Sequence, residues 1–256
     1  MGASVDEAEI RAILASAQQE IPENSPTKQD QPQAAPPART SRRRKKTNSL
    51  EDWVSEATQR AAAANTLADL KQAIEQFDGS PLKTLCEKTV VYDGTLDAQI
   101  MVIGEGPGPQ EDRQGLPFVG PAGQLLDKML AAIGLDRKTN TFITNVNYWR
   151  PPGNRNPETD ELAVCRPFVE RMIDLSQPRL IIAAGGVPAK FLLETSTGIM
   201  RLRGRERPFE TPAGTAAPLV PILHPAYLLR RPQDKSRAWR DLLMVQARLE
   251  ELGVKI

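Results

Sequence analysis

The sequence predicts a three-layer α/β/α domain, a parallel sheet held between two layers of helices, behind an N-terminal tail with no core of its own. Three observations lead there. From about residue 85 onward, short apolar runs alternate with longer segments of helical period, the order that a chain of βα units produces. Runs such as residues 100–103 and 180–184 lack the polar alternation of a half-exposed strand, so they read as strands buried on both faces. Each main run then ends in a distinctive loop: GEGPG after the first, Asn145 and WRPPGNR after the second, Gly185-Gly186 after the third and HPAYLLRRP after the fourth. In an open parallel sheet those loops share the carboxyl rim, where ligands bind.

Composition sets the outer limits. The chain has 256 residues, 40% of them hydrophobic, and no apolar run long enough for a membrane helix, which allows one sizeable core with appendages. Early acidic residues and the lack of an apolar segment near the start argue against a secretory signal, so a cytoplasmic location is expected. Two cysteines, Cys86 and Cys165, are too few for a disulfide framework or an all-cysteine metal site and are expected to stay reduced. The net charge of +1 hides an acidic-leaning stretch over residues 1–38 followed by the basic run RTSRRRKK. Nucleic acid would therefore be held by a local patch rather than by a global field.

In chain order, residues 1–48 are rich in Pro, Gln, Ala and Ser and read as a disordered tail with a short helix possible over residues 5–19. The basic run within the tail suits nucleic-acid phosphates or a solvated linker. Residues 49–78 turn helical, with Thr66 and Asp69 spaced as a capping box before Leu67, Leu70 and Ile74, and form a helical lead-in. The α/β domain follows over residues 79–256, with strands expected over 89–92, 98–103, 141–146, 180–184 and 219–223. Its helices are expected over 120–133, 159–175, 187–193 and 234–252.

The chemistry is expected where the 98–103 strand delivers Gly104, Gly106 and Gly108, whose tight turn presents backbone N–H groups above the strand end. The loop does not open directly into a helix as a dinucleotide fingerprint requires, and the Walker pattern is missing. Phe118 stands alone in a loop bracketed by Gly and Pro, either as a core anchor or as a ligand contact. Asn145 ends an apolar strand, as a turn residue or as a planar donor–acceptor group facing a ligand. His224 is the single histidine.

GEGPGPQEDRQGLPFVGPAGQLLD, ITNVNYWRPPGNR and HPAYLLR, each beginning in or just after an expected strand, resemble the uracil-DNA glycosylase superfamily, most closely its family 4 members, over roughly residues 79–250. The resemblance implies a four-stranded parallel sheet between helices and a monofunctional enzyme of base excision repair. Such an enzyme flips uracil out of single- or double-stranded DNA and hydrolyses its N-glycosidic bond. It further implies that Gly104, Glu105, Gly106, Phe118, Asn145 and His224 surround the base. In that arrangement Phe118 stacks on it, Asn145 pairs with N3–H and O4, and His224 donates to O2. Cytosine would leave a buried group unpaired, at about 1–3 kcal/mol per group. Loss of a donor like His224 costs on the order of a hundredfold in rate.

Two departures from the family pattern stand out. Gly106 occupies the place of a water-positioning Asp and Gly108 that of a Tyr that excludes the thymine methyl. Glu105 is therefore the expected catalytic carboxylate, with Glu111 or Asp112 as substitutes. Family 4 enzymes usually hold an iron–sulfur cluster on four cysteines, whose positions here carry Phe77, Ser80, Trp149 and Cys165. One thiolate cannot hold a cubane, so no cluster, metal or other cofactor is expected, with Phe77 and Trp149 packing in its space.

DNA is expected to be held by Arg150, Arg155, Arg230 and Arg231 on its phosphates, with Leu228 and Leu229 as apolar wedges from a loop. Arg201, Arg203, Arg205 and Arg207 form a second basic stretch, on a strand face or a DNA-facing loop. The protein would act as a monomer, away from membranes and close to the nucleoid. Two other readings stay open at this point: a non-catalytic uracil- or DNA-binding module, and a nucleotide-binding α/β enzyme.

Overall fold

The computed structural model describes residues 48–254, so the tail with its basic run and the helix expected over residues 5–19 lie outside the described residues. Two helices lead in: α1 (Leu50–Ala63) and α2 (Leu67–Glu75). Both start on capping boxes. The Ser49 hydroxyl accepts the Asp52 N–H at 3.2 Å and the Thr66 hydroxyl accepts that of Asp69 at 3.1 Å, satisfying N–H groups that a helix start leaves orphaned.

The sheet contains six strands, where the resemblance implies four and the residue pattern five. They are β1 (Tyr92–Gly94), β2 (Ile100–Gly104), β3 (Thr141–Asn145), β4 (Leu180–Ala184), β5 (Arg207–Glu210) and β6 (Ala216–Ile222), in the order β1-β3-β2-β4-β6-β5. The central four run parallel, as the apolar runs imply. The two edge strands are antiparallel and make the sheet mixed. Both are short and only half buried, so neither carries an apolar signature, and Pro208 in β5 pairs with Pro218 at an edge, where a missing N–H is tolerated. The expected strand over 89–92 is shifted: Val90 and Val91 are buried in extended chain, and the ladder proper starts only at Tyr92.

The helices on the strands' faces are α4 (Pro121–Ala131), α5 (Thr159–Ser176), α6 (Gly186–Leu193) and α9 (Lys235–Glu251). Strand alternation divides the core. Met101, Ile103, Phe142 and Ile181 face α1, α2, α5 and α6, whereas Ile100, Val102, Ile143 and Ile182 face α4 and α9. Three short helices complete the chain: α3 (Pro109–Gln114), α7 (Ile199–Leu202) and α8 (Pro225–Arg230). At the rim, α3, α4 and α8 each open with a proline, which needs no N–H partner and has φ preset for a helix. No helix among the described residues is long and apolar enough to cross a membrane.

Candidate active site

The rim is built on adjacent strand ends. Gly104 and Asn145 are register partners on β2 and β3, and the pairing continues past them, with Val146 N–H donating to Gly104 O at 3.0 Å and Asn147 N–H to Glu105 O at 3.1 Å. The glycine is required for space: a Cβ there would lie 2.4 Å from Asn145 Oδ1 and 2.4 Å from the Phe118 ring. Gly104, Phe118 and Asn145 therefore converge. Asn145 is 1% exposed and its Oδ1 has no hydrogen-bond partner, a costly state for a buried acceptor unless something from outside supplies a donor.

Phe118 is buried with φ +54°, a conformation a bulky side chain adopts only when its surroundings enforce it. Two groups do so. Arg137, pinned by Asp93 at 2.9 Å and Asp127 at 2.8 Å, donates to Phe118 O at 2.7 Å and to Pro117 O at 3.2 Å. Buried Glu111 accepts from Val119 N–H at 3.0 Å and Gly120 N–H at 2.8 Å through Oε1, and from Gly108 N–H at 3.2 Å through Oε2. One carboxylate thus ties the glycine loop to the Phe118 loop. The same contact explains Gly108, where a Cβ would stand 2.8 Å from Glu111 Oε2.

His224 caps α8: its Nδ1 accepts the Ala226 N–H at 3.1 Å, which leaves the ring proton on Nε2. Burial lowers its pKa to about 4, and nearby Arg230 adds to this while Glu111 opposes it, so the imidazole is neutral at pH 7. Its ring lies 5.7 Å from that of Phe118 at 31°. Gly185, at φ +118°, packs directly under it.

These groups border a cavity of about 310 Å³ whose walls include Glu105, Gly106, Phe118, His224 and Arg230. The Glu105 carboxylate accepts no hydrogen bond among the described residues; its backbone carbonyl alone does, from Asn147 N–H. Burial raises its carboxyl pKa, and Arg230 counteracts that in part. No lysine lines the cavity. Asn145 is not part of its wall but lies behind Gly104 and Phe118.

Several expected roles need correcting. Glu111 and Asp112 are engaged in holding loops: Glu111, which also borders the cavity, accepts the three amides, and buried Asp112 accepts from Glu87 N–H at 2.8 Å and Lys88 N–H at 3.2 Å. Leu228 is 1% exposed and belongs to the core beneath α8, so it is no wedge; Leu229 is 44% exposed. HPAYLLR is a helix rather than a loop, because Pro225 and the His224 cap start it. Arg155 forms a two-bonded pair with Glu161 at 2.6 and 2.8 Å, and Arg150 donates to Asn154 Oδ1 at 2.8 Å. Arg230 and Arg231 are exposed and form no ion pair among the described residues. Arg137 carries no motif in the sequence; its role exists only in the fold. Glu111 had a local signal, the third helical position after a glycine cap.

The residues at the four positions that the resemblance gives to cluster ligands do not fit a cluster. Phe77 packs against Trp53, Trp149 and Phe168 with ring centroids 6.0, 6.2 and 5.3 Å apart. Trp149 Nε1 donates to Thr89 Oγ1 at 3.1 Å. Cys165 is fully buried, and burial pushes its thiol up to about 12, opposite to what a metal-ligating thiolate needs. No group of three or more His, Cys, Asp or Glu among the described residues is arranged to hold a metal ion.

The family model of the uracil DNA glycosylase superfamily matches residues 91–243. Similar proteins include the type-4 uracil-DNA glycosylase of Pyrobaculum aerophilum, 36% identical over 182 residues that make up 70% of this chain and 92% of the relative. That of Thermotoga maritima is 35% identical over 169 residues, 66% and 85% of the two chains. That of Archaeoglobus fulgidus is 41% identical over 145 residues, 55% and 71%. On this match and these identities, the chain belongs to the uracil-DNA glycosylase superfamily.

Proposed function

We propose that this protein is a monofunctional uracil-DNA glycosylase, acting in base excision repair on uracil in single- or double-stranded DNA. The observation that carries the reading is the partnerless Oδ1 of Asn145, buried next to Gly104 and Phe118, the latter a wall of the cavity that His224 and Glu105 also line. A flipped uracil supplies what Asn145 lacks: its N3–H donates to Oδ1, and its O4 accepts from the amide nitrogen. Phe118 stacks on the ring. The neutral His224 donates Nε2–H to O2.

As the bond between C1′ and N1 lengthens, its electron pair moves onto the uracil ring and the sugar becomes oxocarbenium-like. A neutral donor already aimed at O2 in a largely buried site stabilises that charge without reorganising. Glu105, unencumbered by internal hydrogen bonds, orients a water whose oxygen bonds to C1′ and whose proton passes to the carboxylate. The uracil anion leaves and takes up a proton from solvent, Glu105 returns its proton to solvent, and an abasic site remains. Without a lysine at the cavity, no Schiff base competes with water.

The enzyme works without an iron–sulfur cluster, since aromatic packing of Phe77 and Trp149 fills two of the four ligand positions and only Cys165 offers a thiol. It acts as a monomer and works in the cytoplasm at the nucleoid, where its substrate lies. Arg230 and Arg231 contact phosphates, Leu229 alone is the wedge, and Arg150 and Arg155 border the path as paired groups. Release of labelled uracil from a single-stranded oligonucleotide, read by alkaline cleavage of abasic sites, tests the enzyme reading. Binding without release would make the protein a uracil-binding module, with Gly106 as the reason. Iron analysis tests the cofactor reading: no iron is expected, and near-stoichiometric cluster iron would refute it.

A further inference from the structure

A second concavity, of about 690 Å³, is lined by Arg201, Arg203, Arg205, Arg207 and Arg240 together with Asp241. The basic stretch of the sequence is not a single strand face but runs from a helix through a turn into a strand. Arg201 sits on α7, Arg203 and Arg205 follow it in a turn, and Arg207 opens β5. Their order in space comes from one pair. Arg203 grips Asp241 of α9 with bonds of 2.9 and 2.7 Å and donates as well to Arg237 O. Gly204 N–H donates to Pro221 O at 2.9 Å. Gly204, at φ +62°, allows the approach, since a Cβ would stand 2.2 Å from Asp241 Oδ1.

That pair consumes the only acid in the lining. Arg201, Arg205, Arg207 and Arg240 form no side-chain hydrogen bond or ion pair among the described residues, and Arg207 Nε is buried without a partner. Four uncompensated guanidinium groups in one groove repel one another, and a polyanion relieves that repulsion. Guanidinium forks match phosphate oxygens in pairs, more closely than they match any neutral ligand. Location identifies the polyanion. Pro221, which anchors the turn, lies three residues before His224, and Arg240 is on the helix that follows α8 with its free Arg230 and Arg231. The groove therefore continues the uncompensated charge of the rim outward past β6.

We propose that this groove is a second DNA-backbone site, which binds phosphodiesters flanking the extruded nucleotide and contributes to affinity, not to the bond-breaking step. The proposal rests on the reading that the rim acts on DNA. The test uses the full chain, an Arg201→Gln/Arg240→Gln variant and an Arg205→Gln/Arg207→Gln variant. DNA affinity is measured against salt on a uracil-containing oligonucleotide of about 30 nucleotides, beside single-turnover excision at saturating DNA. Each phosphate contact contributes about 0.7 to the log–log salt slope on single strands and about 0.9 on duplex. Each double variant is expected to flatten the slope by about 1.4 or about 1.8 and to keep the wild-type single-turnover rate.

An unchanged slope in both variants, with wild-type excision intact, overturns the groove and leaves the enzyme reading standing. If wild type binds DNA through the groove but releases no uracil, the groove stands and the enzyme reading falls. Thermal stabilisation by inorganic phosphate that is lost in the variants, with an unchanged DNA slope, makes this a small-anion site and also overturns the proposal.

Discussion

Glu111 offers the sharpest test of how the site is held together. Its carboxylate accepts three backbone N–H groups from two loops, and one of the three, on Gly120, is buried. Bonds to a charged acceptor are worth about 1.5–3 kcal/mol each when buried and less where water can replace them. Truncation in Glu111→Ala should then cost about 2–4 kcal/mol, a fall in Tm of roughly 2–4 °C per kcal/mol for a domain of this size. Glu111→Gln keeps an oxygen for Val119 and Gly120 but turns an amide N–H₂ toward Gly108 N–H, two donors face to face, for about 1–2 kcal/mol. Circular dichroism melting reads the stability and single-turnover uracil release reads the site. Leu82→Ala, a core truncation of about 2–5 kcal/mol, serves as a matched control. Glu111→Ala should lose excision well beyond that control. Equal stability loss with a wild-type excision rate would refute the view that Glu111 joins the glycine loop to the Phe118 loop.

Other outcomes follow from the same geometry. Gly104→Ala drives a methyl to 2.4 Å from both Asn145 Oδ1 and the Phe118 ring and should cut single-turnover excision on the order of a hundredfold. Gly186→Ala, whose methyl meets Ile199 at 3.7 Å, should not. His224 prefers its neutral form in the fold, so the unfolded chain binds its proton first as pH falls. The stability this contributes is complete above pH 6.5 and lost toward pH 4, about 3 kcal/mol in all. Urea melts across that range should show the slope in wild type and a shallower one in His224→Gln. Leu228→Ala should cost about 2–5 kcal/mol of stability, whereas Leu229→Ala should leave the melt unchanged and weaken binding to uracil-containing duplex DNA.

Much of this structure is legible in the chain because its cause is local. The β-branched runs at 100–103 and 180–184 dictate buried parallel strands, and Thr66 with Asp69 announces a helix start that the structure reproduces bond for bond. Arg207–Glu210 escaped, and the strand expected over 89–92 pairs only over Tyr92–Gly94, because edge strands are defined by a neighbour rather than by their own pattern. The site divides the same way. Gly104, Phe118, Asn145 and His224 stand next to turns that motifs mark, and the fold brings them together. Arg137 supports Phe118 from beyond the helix that follows it, and Leu228 turned inward because a proline made HPAYLLR helical. The first fact has no signal within a few residues; the second has one in Pro225, which opens the helix.

The most direct measurement is single-turnover uracil release across pH for wild type, Glu105→Gln and His224→Ala. Glu105 as the water-orienting base requires a rate that falls on acidification through a carboxyl pKa raised above 4.5. Glu105→Gln should be slow and lack that limb. His224→Ala should be slowed on the order of a hundredfold with the limb retained, since His224 is already neutral across that range. A Glu105→Gln enzyme with wild-type rate and profile would contradict the mechanism at its centre.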